Sequence, residues 1–257
     1  MGPLHRYTPL GLGILSFVVI LSVWECSAWL DWINPFFTSR PSAIAEVLRQ
    51  QVATGELSRN LSVSLVEFTA GFGLAVIVGV LIGLLIGWYK LLDYALDPFI
   101  WFLYSAPLIG FYPIFIILFG LGKPTVIAIT FLLSVVVALV NTAAGIRNVD
   151  PSLIQVARSF GARRYELFFK VALPASVPMM IAGLRLAVGR ALMGVVAAEM
   201  FGATAGLGAS ISYYGGLLKT TNMLASLVVI TGLGVILTQG LVMIEGHFDS
   251  WRTEAGR

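Results

Sequence analysis

The chain has 257 residues, of which 58% are hydrophobic and only 11% charged, where soluble domains carry about 25% charged residues. With a mean hydropathy of +0.92, a soluble fold of this size could not cover its surface, which excludes a free cytosolic enzyme and a disordered chain. The net charge of +3 leaves no nucleic-acid footprint, and the single cysteine, Cys26, excludes a disulfide framework or a cysteine-built metal site.

What remains is an all-α polytopic membrane protein. A hydrocarbon core about 30 Å thick needs about 20 apolar residues in a helix, and six windows qualify: Leu10–Leu30, Leu65–Trp88, Ile100–Leu121, Thr125–Ile146, Val177–Phe201 and Leu224–Ile244. The runs are continuous, so they predict helices and not barrel strands. Met1–Arg6 before the first run has the form of a signal peptide, but the run is long, Glu25 interrupts it near its end and no small-x-small cleavage site follows. It is expected to stay as the first helix.

After the first span, residues 31–60 carry Pro35 and Pro41, then an amphipathic stretch, Ser42–Ala53, with Ile44, Val47, Leu48 and Val52 on one side. This predicts a short helix at the outer interface. Residues 202–222, rich in glycine and serine, predict a compact outer loop with a short helix. With the N-terminus inside, the inner segments hold nine lysines and arginines and the outer segments five, which favours cytoplasmic termini.

Residues 147–176 form the most basic inner segment. Asp150-Pro151 is a helix start, cap then first residue. Leu153, Ile154, Ala157 and Phe160 recur at helical spacing, and Gly161 ends that helix. A second short amphipathic stretch, Arg164–Val171, presents Leu167, Phe168 and Val171 and is expected to end at Pro174. The prediction is a helix–turn–helix elbow on the cytoplasmic face.

Within the spans, Gly79, Gly83 and Gly87 repeat every fourth residue, a small-residue ladder that serves either a sliding or dimer contact or close packing inside one subunit. Pro107 and Pro113 predict a kinked or broken third span and candidate pathway residues. Charged and polar groups here are costly and functional by default, which singles out Asn141, Arg185, Arg190 and Glu199. Arg190 and Glu199 lie about 180° apart round a helix, and Arg185 and Glu199 about 21 Å apart along it, so each needs a partner elsewhere. Arg185 is expected to form an interhelical or intersubunit pair, while Arg190 and Glu199 join Asn141 and the two prolines as candidate pathway residues. An arginine in the pathway suits an anionic solute.

The elbow resembles the signature loop of ABC importer permeases of the binding-protein-dependent, MetI-like type. That loop reads E-A-A, three residues, G, nine residues, I, one residue, L-P. Here it reads Gln155-Val156-Ala157, three residues, Gly161, nine residues, Val171, Ala172, Leu173-Pro174. Every spacing matches; Gln155 replaces the family's glutamate, which removes its carboxylate. The rest of the chain resembles the nitrate/sulfonate/taurine branch through Arg40-Pro41-Ser42, Ser64-Leu65 with Gly71-Phe72, Phe119-Gly120-Leu121-Gly122, Asn141-Thr142 with Gly145, Ala182–Arg185, Ala197–Met200, Gly206-Leu207-Gly208 and Trp251.

The resemblance implies a type I importer permease fold. It divides the chain into an N-terminal transmembrane helix at 1–30, a periplasmic segment at 31–64, a five-helix permease core at 65–248 with its coupling loop at 147–176, and a cytoplasmic tail at 249–257. It implies a second copy of the chain, two ATP-binding subunits and a periplasmic or lipid-anchored solute-binding protein, in the lipid of a bacterial cytoplasmic membrane. It makes Gln155, Ala157, Gly161, Ala162, Arg163, Arg164, Leu173 and Pro174 the ATPase-coupling residues. ATP and Mg belong to the partner ATPase: the only Gly-Lys near a phosphate loop, Gly122-Lys123, is followed by Pro124 and preceded by Ile117 where that loop needs glycine. No cofactor or metal is expected on this chain. The solute range stays open over nitrate, sulfonates, taurine, bicarbonate, pyrimidine precursors and aromatic carboxylates, with a lean to a small anion.

Two rival readings explain the spans without the elbow. A self-sufficient secondary transporter or channel usually shows an internal repeat, and residues 1–130 and 131–257 show none. An intramembrane enzyme would use Ser210, after Gly208-Ala209, with His247 as base. The two are predicted on opposite sides of the membrane, beyond the hydrogen-bond reach that such chemistry needs.

Overall fold

The computed structural model describes residues 4–30 and 38–248. The tail predicted at 249–257 and the side chain of His247 lie outside the described residues. In chain order the helices are α1 Leu4–Trp29, α2 Pro41–Ala53, α3 Glu56–Trp88 and α4 Lys90–Ser105. A 3₁₀ turn, Leu108–Phe111, leads to α5 Tyr112–Phe119, then α6 Lys123–Arg147 and α7 Pro151–Ser159. α8 Arg164–Gly202, α9 Leu207–Gly216 and α10 Thr220–Phe248 complete the chain. Five of them, α1, α3, α6, α8 and α10, are each long and apolar enough to cross a bilayer.

α6 is the centre of the bundle, with α3 and α8 packed along it. Its buried row, Val126, Ile129, Leu133 and Val136 to Ala138, meets Phe68 and Ala75 of α3 and Val188, Ala191 and Val195 of α8. Glycines from both sides let the backbones meet. A β-carbon on Gly79, Gly83 or Gly87 would fall 2.9 Å from Ala138 Cβ, 2.7 Å from Leu139 O or 2.7 Å from Ile146 Cβ. On the opposite side, Gly183 faces Asn141 and Gly194 faces the Thr130 backbone. The α3 ladder is therefore closed by α6 of its own chain. Gly83→Ala is expected to cost about 1–3 kcal/mol through overpacking, read as a lower melting midpoint in detergent. Gly73→Ala, where nothing lies within 4 Å of the new carbon, is expected to leave the midpoint unchanged or raise it.

Three sequence expectations change. The third span is broken, as Pro107 and Pro113 predict, but its bounds differ from Ile100–Leu121: it is the pair Lys90–Ser105 and Leu108–Phe119, bent by 87°. Pro107 forces Ala106 into an extended conformation at ψ 142°, and Pro113 starts α5 at a position where its missing N–H costs nothing. The second span begins nine residues before Leu65, at Glu56, because its first three turns bury polar side chains that a hydropathy window discards. Finally, Pro174 does not end a separate stretch. The chain runs helical from Arg164 to Gly202, and Leu167–Ala172 forms a π segment just ahead of Pro174. That wider turn accommodates the N–H that proline lacks.

α2 packs on α10 and α3, burying Ile44 and Gln51 and leaving Val52 exposed. Its first turn is tied to α1, where Glu25 accepts from the Ser42 N–H at 3.0 Å and its hydroxyl at 2.7 Å.

Candidate functional site

Two sites stand at opposite ends of α8. The first is the elbow. Asp150 caps α7 by accepting from the Ser152 N–H at 2.8 Å, with Pro151 in the first turn. Hydrogen bonds from the Ser152 backbone and hydroxyl hold the Asp150 carboxyl below its ordinary range. Because that pKa is depressed, the cap is in place above the ordinary carboxylate range and is lost as pH falls through the depressed value. Asp150→Asn, which keeps the cap acceptor without the charge, is expected to remove this acid sensitivity, measured as the pH dependence of amide exchange in α7.

At the other end of α7, Gly161 takes φ +80°. Its N–H reaches the Arg158 carbonyl at 2.9 Å, and the Ala162 N–H reaches the Ala157 carbonyl at 3.1 Å. This pair of bonds is the Schellman arrangement, which explains why Ala157, Gly161 and Ala162 stand at their spacing. No atom lies within 4 Å of a β-carbon on Gly161, so the site demands glycine for its backbone angle and not for room. The chain restarts at Arg163, whose N–H is accepted by Glu166 at 2.9 Å.

The apolar residues of α7 split between two faces. Ile154 and Ala157 are half-buried and turned to the bundle, whereas Leu153, Val156 and Phe160 are 48%, 56% and 88% exposed. Sequence spacing grouped Leu153 and Phe160 with the inward pair; the structure places them in an outward row with Val156, an apolar stripe left uncovered by the described residues. Gln155 and Arg158 are exposed beside it. They line a cavity of about 560 Å³ with Lys90, Asp93 and Arg147, and Arg147 and Asp93 are ion-paired. Leu173 and Pro174 are half-buried at the root of the elbow.

The second site lies where α8 ends. Glu199 is 1% exposed and accepts from the Ser64 hydroxyl at 2.6 Å and the Gly208 N–H at 2.6 Å. Ser64 in turn accepts from the Leu207 N–H at 2.9 Å. Asn60 accepts from the Gly206 N–H at 3.3 Å and donates to the Ser210 hydroxyl at 2.8 Å. α3 and α8 thus supply the acceptors that the first turn of α9 lacks in its own chain. Glu67, also 1% exposed, lies beside Glu199, and its Oε2 has no hydrogen-bond partner among the described residues. Tyr214 of α9 donates to Glu56 at 2.6 Å, and burial followed by that carboxylate pushes its phenol up to about 12.

Sequence reasoning named Glu199 from this network as a costly charge, Ser64 and Gly206 to Gly208 only within the family resemblance, and Ser210 only as the nucleophile of the rival enzyme reading. Asn60 and Glu67 escaped it and Ser64 was not joined to Glu199, although the spacing of the three, four and then three residues, puts them on one side of α3. The candidate pathway residues are not brought together in the isolated chain. Asn141 packs on Gly183 and donates to Val137 O of its own helix at 2.8 Å, and Glu199 is enclosed in the network. Pro107, Pro113 and Arg190 are exposed. Arg185 pairs with Glu245 of α10 at 3.2 Å, an interhelical bond. Ser210 is held by Asn60 in the α9 network.

Long apolar helices around a glycine-lined centre, with a capped elbow projecting from one end, define a multi-pass helical membrane protein. The chain belongs to the family of binding-protein-dependent transport system inner membrane components, whose model matches residues 75–245. It is 34% identical to a putative ABC transporter permease protein of Methanocaldococcus jannaschii over 90% of this chain and 88% of that one. It is 30% identical to the taurine transport system permease protein TauC of Escherichia coli over 98% and 93%, and 31% identical to the nitrate import permease protein NrtB of Leptolyngbya laminosa over 76% and 71%. The fold is that of the membrane subunit in the inward-facing MetNI methionine ABC transporter, at TM-score 0.67 and 17% identity, covering 77% of this chain and 98% of that one. The chain is accordingly the permease subunit of an ABC importer, a type I, MetI-like membrane protein.

Proposed function

We propose that this permease carries a small anion of the sulfonate, taurine or nitrate class across the cytoplasmic membrane, driven through the α7 elbow by an ATPase that binds ATP and Mg on its own chain. The observation that carries the coupling is the outward stripe Leu153, Val156 and Phe160 on a helix fixed at both ends. An apolar row this exposed at the cytoplasmic end of a membrane protein has no use in water and fits the groove of a partner. Gln155, Ala157, Gly161, Ala162, Arg163, Arg164, Leu173 and Pro174 make up the lever and its root. Both termini lie in the cytoplasm in this reading, and a solute-binding protein delivers the anion from outside.

The permease works as a homodimer. Arg190 sits about two thirds of the way along α8, exposed, with no ion pair among the described residues. A guanidinium there cannot face lipid without large cost, so it faces a second copy and the passage between the two. The relatives named for taurine and nitrate and this arginine together support an anionic solute. Catalysis is not assigned to this chain.

The test is co-purification with the cognate ATPase from one expression host, before and after Gly161→Val. A β-branched residue at φ +80° is strained by about 1–2 kcal/mol, so the elbow is expected to lose its turn and the ATPase its hold, while the bundle stays folded. Equal recovery of the ATPase with both forms would refute the elbow reading. Uptake of labelled taurine and nitrate into cells carrying the complete system tests the solute separately: loss of both on Arg190→Gln, with the ATPase still bound, is the expected result.

A further inference from the structure

We propose that the groove between the elbow-side end of α3 and the π segment of α8 is a binding site for one anionic phospholipid of the adjoining leaflet. This goes beyond the importer reading and needs only that the chain is in a membrane. The groove encloses about 580 Å³ and is walled by Leu85, Trp88, Phe168 and Phe169, with Arg163 and Arg164 at its rim. The aromatic wall is rigid: Trp88 meets Phe168 edge-on at 5.1 Å, and Phe168 meets Phe169 at 4.9 Å. Leu85 and Phe169 are nevertheless 50% and 62% exposed, so the wall lacks a cover.

The rim is the second observation. Arg163 and Arg164 form no ion pair among the described residues. The Arg164 guanidinium lies over the Tyr89 ring at 5.1 Å, which fixes it above the groove and leaves its edge free for an anion. The third observation is what leads away from the groove. Leu74, Ile77, Leu81 and Leu85 are all about half exposed or more and form one stripe along α3. Their span is about 16 Å at 1.5 Å per residue, about half the 30 Å hydrocarbon core. A ligand with a phosphate at the arginines and an apolar chain one leaflet long matches all three features. A free phosphate would leave the stripe bare, and an uncharged lipid would leave the arginines without an anion. Basic pockets at the ends of membrane helices are known to hold such head groups.

Native mass spectrometry of the full-length permease, titrated with phosphatidylglycerol or phosphatidylcholine of the same chains, tests this. Wild type is expected to retain one phosphatidylglycerol per chain with about tenfold preference. Arg163→Gln with Arg164→Gln is expected to bring the preference to about one, and Arg163→Lys with Arg164→Lys to keep most of it. Leu85→Trp, which fills the groove without touching the charge, is expected to lower retention of the lipid. Equal retention of the two lipids by wild type would overturn the proposal, as would a neutral double variant that still prefers phosphatidylglycerol. So would unchanged retention by Leu85→Trp. If the neutral variant sheds the co-expressed ATPase and keeps its lipid, the two arginines serve the ATPase and the proposal also falls.

Discussion

Replacing Glu199 with alanine is expected to lower the stability of the permease by about 3–5 kcal/mol, among the largest effects of any single change in the chain. The carboxylate is buried and holds the Ser64 hydroxyl and the Gly208 N–H, each at 2.6 Å. Alanine leaves both donors without an acceptor in a place that water does not reach, and each such orphan costs about 1–3 kcal/mol. It also opens a cavity against Gly206 and Gly208, whose backbones are pressed onto this side chain. A β-carbon on Gly206 would lie 2.4 Å from the Glu199 carboxyl. Glutamine is expected to cost much less. Its carbonyl oxygen replaces one acceptor, its size fills the space, and its amide can donate to the Glu67 carboxyl beside it, whose Oε2 has no partner among the described residues. The order wild type, then Glu199→Gln, then Glu199→Ala should appear in the melting midpoint of the detergent-purified chain. Protease cleavage in residues 203–219 should follow the same order, since α9 is what the network holds. If glutamine and alanine are equally damaging, the charge matters and not the hydrogen bonds. If neither is, the network does not fasten α9.

The two ends of α8 were not equally legible in the sequence, and the reason is the range of their contacts. Asp150, Pro151 and Gly161 act on backbone within a few residues of themselves, so cap, first turn and left-handed stop could be read as spacing. The α9 anchor joins residues 135 and 150 positions apart, Ser64 to Glu199 and Asn60 to Ser210, and nothing local marks such a pair. Glu67 escaped for a related reason: one carboxyl in a long apolar run barely lowers a hydropathy window. Pro174 misled because proline stops a helix only when the lost N–H cannot be accommodated, and here the π segment accommodates it. α7 shows the limit of periodicity in another way. The pattern announced an amphipathic helix, yet it carries two apolar rows. Only the packing of Ile154 and Ala157 toward the bundle reveals that the row of Leu153, Val156 and Phe160 is the one left over.

That leftover row yields the second large effect. Phe160→Asp is expected to weaken ATPase binding by at least tenfold while leaving the melting midpoint of the permease within experimental error. The side chain is 88% exposed, so the folded chain gains nothing from it that aspartate would remove. Burying a phenylalanine against a partner is worth about 1.5–3 kcal/mol, and an aspartate forced into the same apolar contact adds an uncompensated charge. Ser159→Asp is the control. It places the same charge one residue away on an exposed position of α7, outside the stripe, and is expected to leave binding within a factor of about three, as exposed charges usually do. The pair separates two explanations that a single variant would confuse. If both aspartates release the ATPase, the elbow responds to charge and the stripe is not the contact. If Phe160→Asp alone does, the contact is apolar and centred on the stripe. Glu199→Ala supplies the opposite pattern, a destabilised permease whose elbow is intact. A complex that survives Glu199→Ala at low temperature but not Phe160→Asp would show that the anchor of α9 and the grip of the ATPase are separate properties at the two ends of one helix.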